Sequence, residues 1–200
     1  MLWYQLLRPF SYILIQHPVI KRVNWSVPGI LTIVALVLIL PFRQFMNVWG
    51  ADGIVASAQG FVQGLPGFYI AALAAIATFG QQTTLDSVIP SPTPTLHTSY
   101  SGTWVEMKLT RRRFLCLMFA YLTAVSIVLS LLAYYCRAVA VPARMLFVPL
   151  LVDSVSLLLL AAYLLFLFQL VIVTLWGLYY LGDRMHQPDP YDPPASPPGP

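Results

Sequence analysis

Apolar residues run almost unbroken through four stretches of the chain. The first lies at about Val23 to Phe42 and the second at about Phe61 to Gly80. The third runs from Phe114 to Cys136 with no charge inside it. The fourth follows Asp153 and stays uncharged until Asp183, with its span placed at about 154–181. A helix of roughly 20 apolar residues crosses the hydrocarbon core of a bilayer. Backbone polar groups have no water partners there, so each run is expected to be helical. The runs are continuous and do not alternate, which excludes a transmembrane β-barrel. The expected fold is all-α: a polytopic membrane protein with four transmembrane helices. The first run reads as a span and not as a cleavable signal. Trp3, Tyr4, Phe10, Tyr12 and Ile13 precede it, and no A-x-A site follows.

The segments between the runs have their own patterns. Trp3, Leu6, Leu7, Phe10, Ile13 and Leu14 recur at spacings of three and four, which places them on one helical face. An N-terminal helix lying in the membrane interface is expected there, limited by Pro9 and Pro18. The loop at 81–113 is the longest polar segment, and the core of its part from Gln81 to Thr110, the run from Ile89 to Thr103, is expected to be extended or irregular, given its Ser, Thr and Pro content. Residues 1–186 then form one transmembrane domain. Residues 187–200 hold seven prolines and form a tail that favours polyproline II, either as a disordered end or as a docking peptide.

Composition agrees with the pattern. Hydrophobic residues make up 58% of the chain and charged ones 9%, against about 25% charged in soluble domains. This excludes an ordinary soluble enzyme and most nucleic-acid binders, so no direct nucleic-acid binding is expected. Placement of the basic residues sets orientation. With the N-terminus inside, Arg8, Lys21, Arg22, Lys108, Arg111, Arg112, Arg113 and Arg184 are cytoplasmic, whereas Arg43, Arg137 and Arg144 are outside. An inside excess of eight to three is the expected bias, so both termini and the 81–113 loop are placed on the cytoplasmic side of the membrane. Lys108, Arg111, Arg112 and Arg113 are expected to anchor the topology and meet anionic lipid.

Chemistry is sparse. His17, His97 and His186 fall on separate segments without carboxylate or Cys partners at ligand spacing. There is no H-E-x-x-H, Walker loop or G-x-S-x-G, and no metal, cofactor or catalytic residue is expected. Cys116 and Cys136 lie near opposite ends of one helix, roughly 30 Å apart, and cannot pair within it. Both are expected to be buried. The sequon Asn24-Trp25-Ser26 sits at the cytoplasmic end of a span and is discounted.

Interaction surfaces are better marked. Gly60, Gly64, Gly67, Ala71 and Ala75 place small residues four apart along the second span, which lets another helix approach closely. That helix belongs either to the same chain or to a second subunit. Gln169, midway along the fourth span, is expected to hydrogen-bond another helix. Asp153 either caps a helix beginning after Pro149 or marks an intramembrane ion path. Trp176, Tyr179 and Tyr180 are expected at the inner interface. In the long loop, Leu96, His97, Tyr100 and Trp104 offer apolar and aromatic anchors for a protein partner, and a plain flexible linker is the alternative. Three functional classes follow. A non-catalytic sensor or scaffold that oligomerises and recruits a cytosolic protein effector needs nothing beyond these features. A small oligomeric channel or transporter would need a pore lined by Ser, Thr and Gln. A membrane enzyme lacks convergent acid, base or metal groups.

The four runs, the cytoplasmic termini and the loop from Gln81 to Arg113 together resemble the membrane subunit of the bacterial Kiwa anti-phage system. The resemblance is architectural and covers the whole chain. It implies an inner-membrane oligomer that senses phage at the envelope and works with a cytosolic DNA-binding effector. It carries no functional residue over.

Overall fold

A computed structural model of the chain describes residues 2–42, 45–78, 83–89, 93–100 and 103–184. The proline-rich tail at 187–200 lies outside the described residues. Four helical units are long and apolar enough to cross a membrane: Pro18–Phe42, Ile54–Thr78, Arg111–Leu146 and Pro149–Gly182. The chain is an all-α polytopic membrane protein, with one small two-stranded sheet beside the bundle.

The chain opens with α1 (Leu2–Leu7), which tightens into a 3-10 helix over Arg8–Leu14. The expected single interfacial helix is therefore corrected to two short segments, because Pro9 falls at the change of winding. Leu6, Leu7 and Leu14 are exposed, as an interfacial face requires, whereas Tyr12 and Ile15 turn into the core. The first span joins α2 (Pro18–Lys21), a π segment (Arg22–Ser26) and α3 (Val27–Ile39), ending in a 3-10 turn at Leu40–Phe42.

The second span begins earlier than its apolar run suggests and is broken. It comprises α4 (Ile54–Val62) and α5 (Leu65–Thr78), separated at Gln63 and Gly64. Pro66 has no N–H to give and its ring crowds the carbonyl four residues back, which stops one helix and starts the next. A short helix α6 (Thr83–Asp86) follows, and then strands β1 (Thr95–Tyr100) and β2 (Thr103–Lys108). The strands pair antiparallel from Thr95 with Lys108 to Tyr100 with Thr103. Of the two expectations, extended or irregular chain, the extended one holds here: the segment forms a β-hairpin. Its Thr, Val, Tyr and Trp content suits strands.

The last two helices are the longest. α7 (Arg111–Leu146) has 36 residues, about 54 Å, and runs ten residues past the end of the expected third span. Thr110 caps its start, its hydroxyl accepting from the Arg113 N–H at 3.4 Å. It ends at Phe147 in extended conformation, just before Val148 and Pro149. α8 (Pro149–Tyr179) starts with Pro at its first position, where the missing N–H costs nothing, and runs into a π turn at Tyr180–Arg184.

α7 is the central element. α5 packs chiefly against α7, α3 chiefly against α8, and the 3-10 segment against the first turns of α7. There Tyr12 stacks on Tyr121 at 5.2 Å between ring centroids, and Phe114 meets Trp176 edge-on at 5.6 Å. Phe114 also meets Tyr180 at 5.7 Å. Aromatic pairs in such geometries add about 0.5–1.5 kcal/mol each beyond the area they bury. Tyr180 is accordingly buried, while Tyr179 faces outward.

Candidate interaction surfaces

The Arg111 end of the bundle is built from β1, β2, α6 and the start of α7. Four backbone hydrogen bonds fix the hairpin there. Gln16 N donates to Thr95 O at 3.0 Å, and Leu109 N donates to Pro94 O at 3.1 Å. Ile89 N donates to Leu109 O and Arg111 N to Ser87 O, each at 3.2 Å. The base of the hairpin is thus tied to the N-terminal segment at Thr95 and to the 87–89 segment at Leu109 and Arg111.

Of the residues expected to meet a partner, the fold separates two. Leu96 is buried, at 2% exposure, and belongs to the core. The expectation for Leu96 is therefore corrected: strand alternation turns it toward the bundle. His97 lies opposite Glu106, and both are exposed. Val105 and Lys108 are exposed as well. Tyr100 and Trp104 occupy strand positions, but their side chains lie outside the described residues. By alternation His97, Glu106 and Lys108 share the face turned away from Leu96, while Val105, though exposed, lies on the Leu96 face farther from the base of the hairpin.

The basic block is also corrected. Arg111 is buried, at 2% exposure. Arg112 grips Asp86 with two bonds, Nε to Oδ1 at 2.8 Å and Nη2 to Oδ2 at 3.2 Å. It donates a third, from Nη1, to the Ile76 carbonyl at 3.0 Å. Arg113 donates to the Met107 sulfur. Arg112 and Arg113 thus join α5, α6 and β2 to α7, and Arg111 is withdrawn from the surface. Lys108 alone of the four is fully turned outward. Sequence reading missed Asp86 because it lies 26 residues away from its partner.

The small-residue stripe points away from the bundle. Gly60, Gly64, Gly67, Ala71 and Ala75 are all exposed. An added Cβ would meet nothing within 4 Å at Gly60 or Gly67. Packing of this stripe against another helix of the same chain is therefore corrected, since α4 and α5 pack through Val55, Val62, Tyr69 and Ile76. The close helix approach within the chain lies elsewhere. A Cβ on Gly177 of α8 would stand 2.6 Å from the Met118 methyl of α7.

Gln169 bonds across helices as its place in the fourth span implies. It accepts from the Tyr121 hydroxyl at 2.5 Å and donates to the Asn24 carbonyl at 3.0 Å. Three spans meet at this one buried side chain. Asn24 itself is 1% exposed, so the sequon is shut inside the bundle. The Asn24 side chain lies beside the Tyr12 hydroxyl but outside hydrogen-bond geometry, and both the hydroxyl and Asn24 Oδ1 are buried without a partner. Burial first, and then the neighbouring Tyr121, push the Tyr12 hydroxyl far above the ordinary tyrosine range and keep it neutral.

At the opposite end, Trp49 folds back from the connection between α3 and α4. Its indole N–H donates to Ser156 Oγ at 2.6 Å. Arg137 donates to Gln59 Oε1 at 2.9 Å, joining α7 to α4. Asp153 does not cap α8: the cap position is Val148, and Asp153 sits more than one turn inside, exposed. Cys116 and Cys136 are free and partly buried rather than fully so.

Among the described residues, no three His, Cys, Asp or Glu side chains come together at metal-binding distance. Protein-family models, curated proteins and solved structures provide no match to the chain. The bundle itself therefore classifies it: a membrane protein of four apolar helical units, built around α7.

Proposed function

We propose that the chain is a non-catalytic scaffold of a bacterial inner membrane that oligomerises and recruits a soluble protein effector on its cytoplasmic side. The observation that carries this reading is the β-hairpin, fixed at its base to the Arg111 end, with His97, Glu106 and Lys108 exposed on one face. A pre-ordered surface binds with less loss of entropy than a flexible linker would. The excess of basic residues at the hairpin end supports a cytoplasmic position for it and for both termini.

The exposed stripe of Gly60, Gly64, Gly67 and Ala71 supports self-association through α4 and α5, since small residues allow close helix approach only where a second helix is present. The channel reading is less favoured, because Ser126 and Gln169 face inward within a single protomer. An anti-phage setting is supported by the architectural resemblance alone.

A photo-reactive amino acid at Glu106, in the full chain in its membrane, tests the proposal. A discrete adduct with a second kind of protein is expected. It should vanish in a His97→Glu, Lys108→Glu variant and be absent when the same group is placed at Leu158. Adducts at Glu106 with lipid or with the chain itself alone would contradict recruitment.

A further inference from the structure

Three cavities meet at the end of the bundle away from Arg111, and Trp49 and Arg144 line all of them. The first is a cleft of about 320 Å³ between the end of α7 and the start of α8. Its walls include Val139, Ala140, Ala143, Val152, Val155 and Leu159. This volume lies at the lower end of the range of roughly 300–1,000 Å³ typical of small-molecule sites. The Trp49 ring forms one side and is held there by its bond to Ser156. The two flanking cavities are more polar, with Asn47 and Arg137 in one and Asp153 and Ser156 in the other.

The charges around these cavities are unevenly committed. Arg137 bonds Gln59. Asp153, the one acidic side chain lining them, has an interaction of its own. Among the described residues, Arg144 makes no hydrogen bond or ion pair. A cation with no partner among the described residues thus stands where an apolar slot opens into a polar rim. Two basic side chains face one acidic one.

The surroundings narrow the ligand class. α7 is about 54 Å long against a hydrocarbon core of roughly 30 Å, and α8 about 46 Å, so the helical tips reach the headgroup layer. The tip beside the cleft exposes Met145, Leu146, Phe147, Val148 and Leu150, with Met145 at 82%. Such a surface is stable among lipid and costly in water. A molecule that fits must be apolar along one part and anionic at its head.

We infer that the cleft is a binding site for an anionic phospholipid, with an acyl chain between Ala143 and Val155 and the headgroup phosphate on Arg144. Lipid phosphate and free phosphate share the chemistry that Arg144 would recognise. They differ in the apolar slot, which a free anion has no use for.

Native mass spectrometry of the full chain in mild detergent, titrated with phosphatidylglycerol or phosphatidylcholine, tests this. The wild type should retain phosphatidylglycerol about fivefold more strongly, the discrimination expected of one basic residue near a membrane surface. Arg144→Gln should erase the preference. Ala143→Trp, which fills the slot, should reduce retention of both lipids, and Val155→Phe serves as a milder filling variant if the first fails to fold. Arg22→Gln, a charge removed at the other end, should leave the preference intact. Equal retention of the two lipids by the wild type would overturn the inference. So would full retention by both filling variants, or displacement of lipid by millimolar inorganic phosphate alone.

Discussion

The Tyr121 hydroxyl donates to Gln169 Oε1 at 2.5 Å, and both groups are sealed inside the bundle. Gln169 passes the connection on to the Asn24 carbonyl, so α7, α8 and the π segment before α3 share one polar joint. Interhelical hydrogen bonds in membranes average about 0.6 kcal/mol and reach about 1.7. Gln169→Leu should therefore lower thermal stability in detergent by about 1–2 kcal/mol, since it removes both bonds. Tyr121→Phe should cost less. The double variant should lose less than the sum, because the two residues share a bond. Strict additivity would mean that the bond contributes nothing.

Tyr12 fills the contact between the N-terminal segment and α7, but its buried hydroxyl has no hydrogen-bond partner. Tyr12→Phe is expected to change stability by less than about 0.5 kcal/mol, whereas Tyr12→Ala should cost about 3–5. A loss above about 1 kcal/mol for the Phe variant would reveal a bond to Asn24.

Two glycines at close approaches should respond differently to alanine. A Cβ at Gly53 would lie 2.6 Å from the Asn47 carbonyl oxygen and 2.7 Å from that of Val48, both backbone atoms. At Gly177 the nearest atom is the mobile end of Met118. Gly53→Ala is expected to destabilise by about 1–3 kcal/mol and Gly177→Ala by less. Gly177→Leu should separate α7 from α8. Thermal unfolding of the three variants checks the order.

The Arg112–Asp86 pair is bidentate but leaves Asp86 45% exposed, so solvent screens it. Asp86→Ala should cost less than about 1 kcal/mol. Arg112→Ala should cost more, because the Ile76 carbonyl also loses its donor. Equal losses from the two variants would show that the carbonyl bond adds nothing.

Ala71 is exposed on the protomer, so Ala71→Leu should leave the unfolding of an isolated protomer unchanged. Its effect is expected in oligomer size, measured by light scattering in detergent. Loss of protomer stability would return the stripe to a role inside the bundle.

How far the sequence disclosed these features depends on the range of the interaction. The four apolar units follow from composition, because lipid demands long runs of one chemistry. Gln169 was legible for the same reason: a lone amide in an apolar run needs a partner. The direction of the Gly60–Ala75 stripe was not, since spacing defines a face without saying what the face meets. Leu96 looked like a partner anchor until the strand register turned it inward. Arg111 and Arg112 looked like a lipid anchor because Asp86 and the hairpin return to them only in the fold. Gly177 carried no signal, since one glycine in an apolar helix matches no spacing rule.

Placement of the hairpin in the cytoplasm underlies the proposed function and can be measured directly. In a Cys116→Ala, Cys136→Ala background, a single cysteine replaces exposed Lys108 beside the hairpin, or exposed Asp52 between α3 and α4. A membrane-impermeant thiol reagent is then applied to intact cells. The account predicts labelling of Asp52→Cys in intact cells, and of Lys108→Cys only after the membrane is opened. Labelling of Lys108→Cys in intact cells would put the hairpin outside and contradict recruitment of a cytosolic effector.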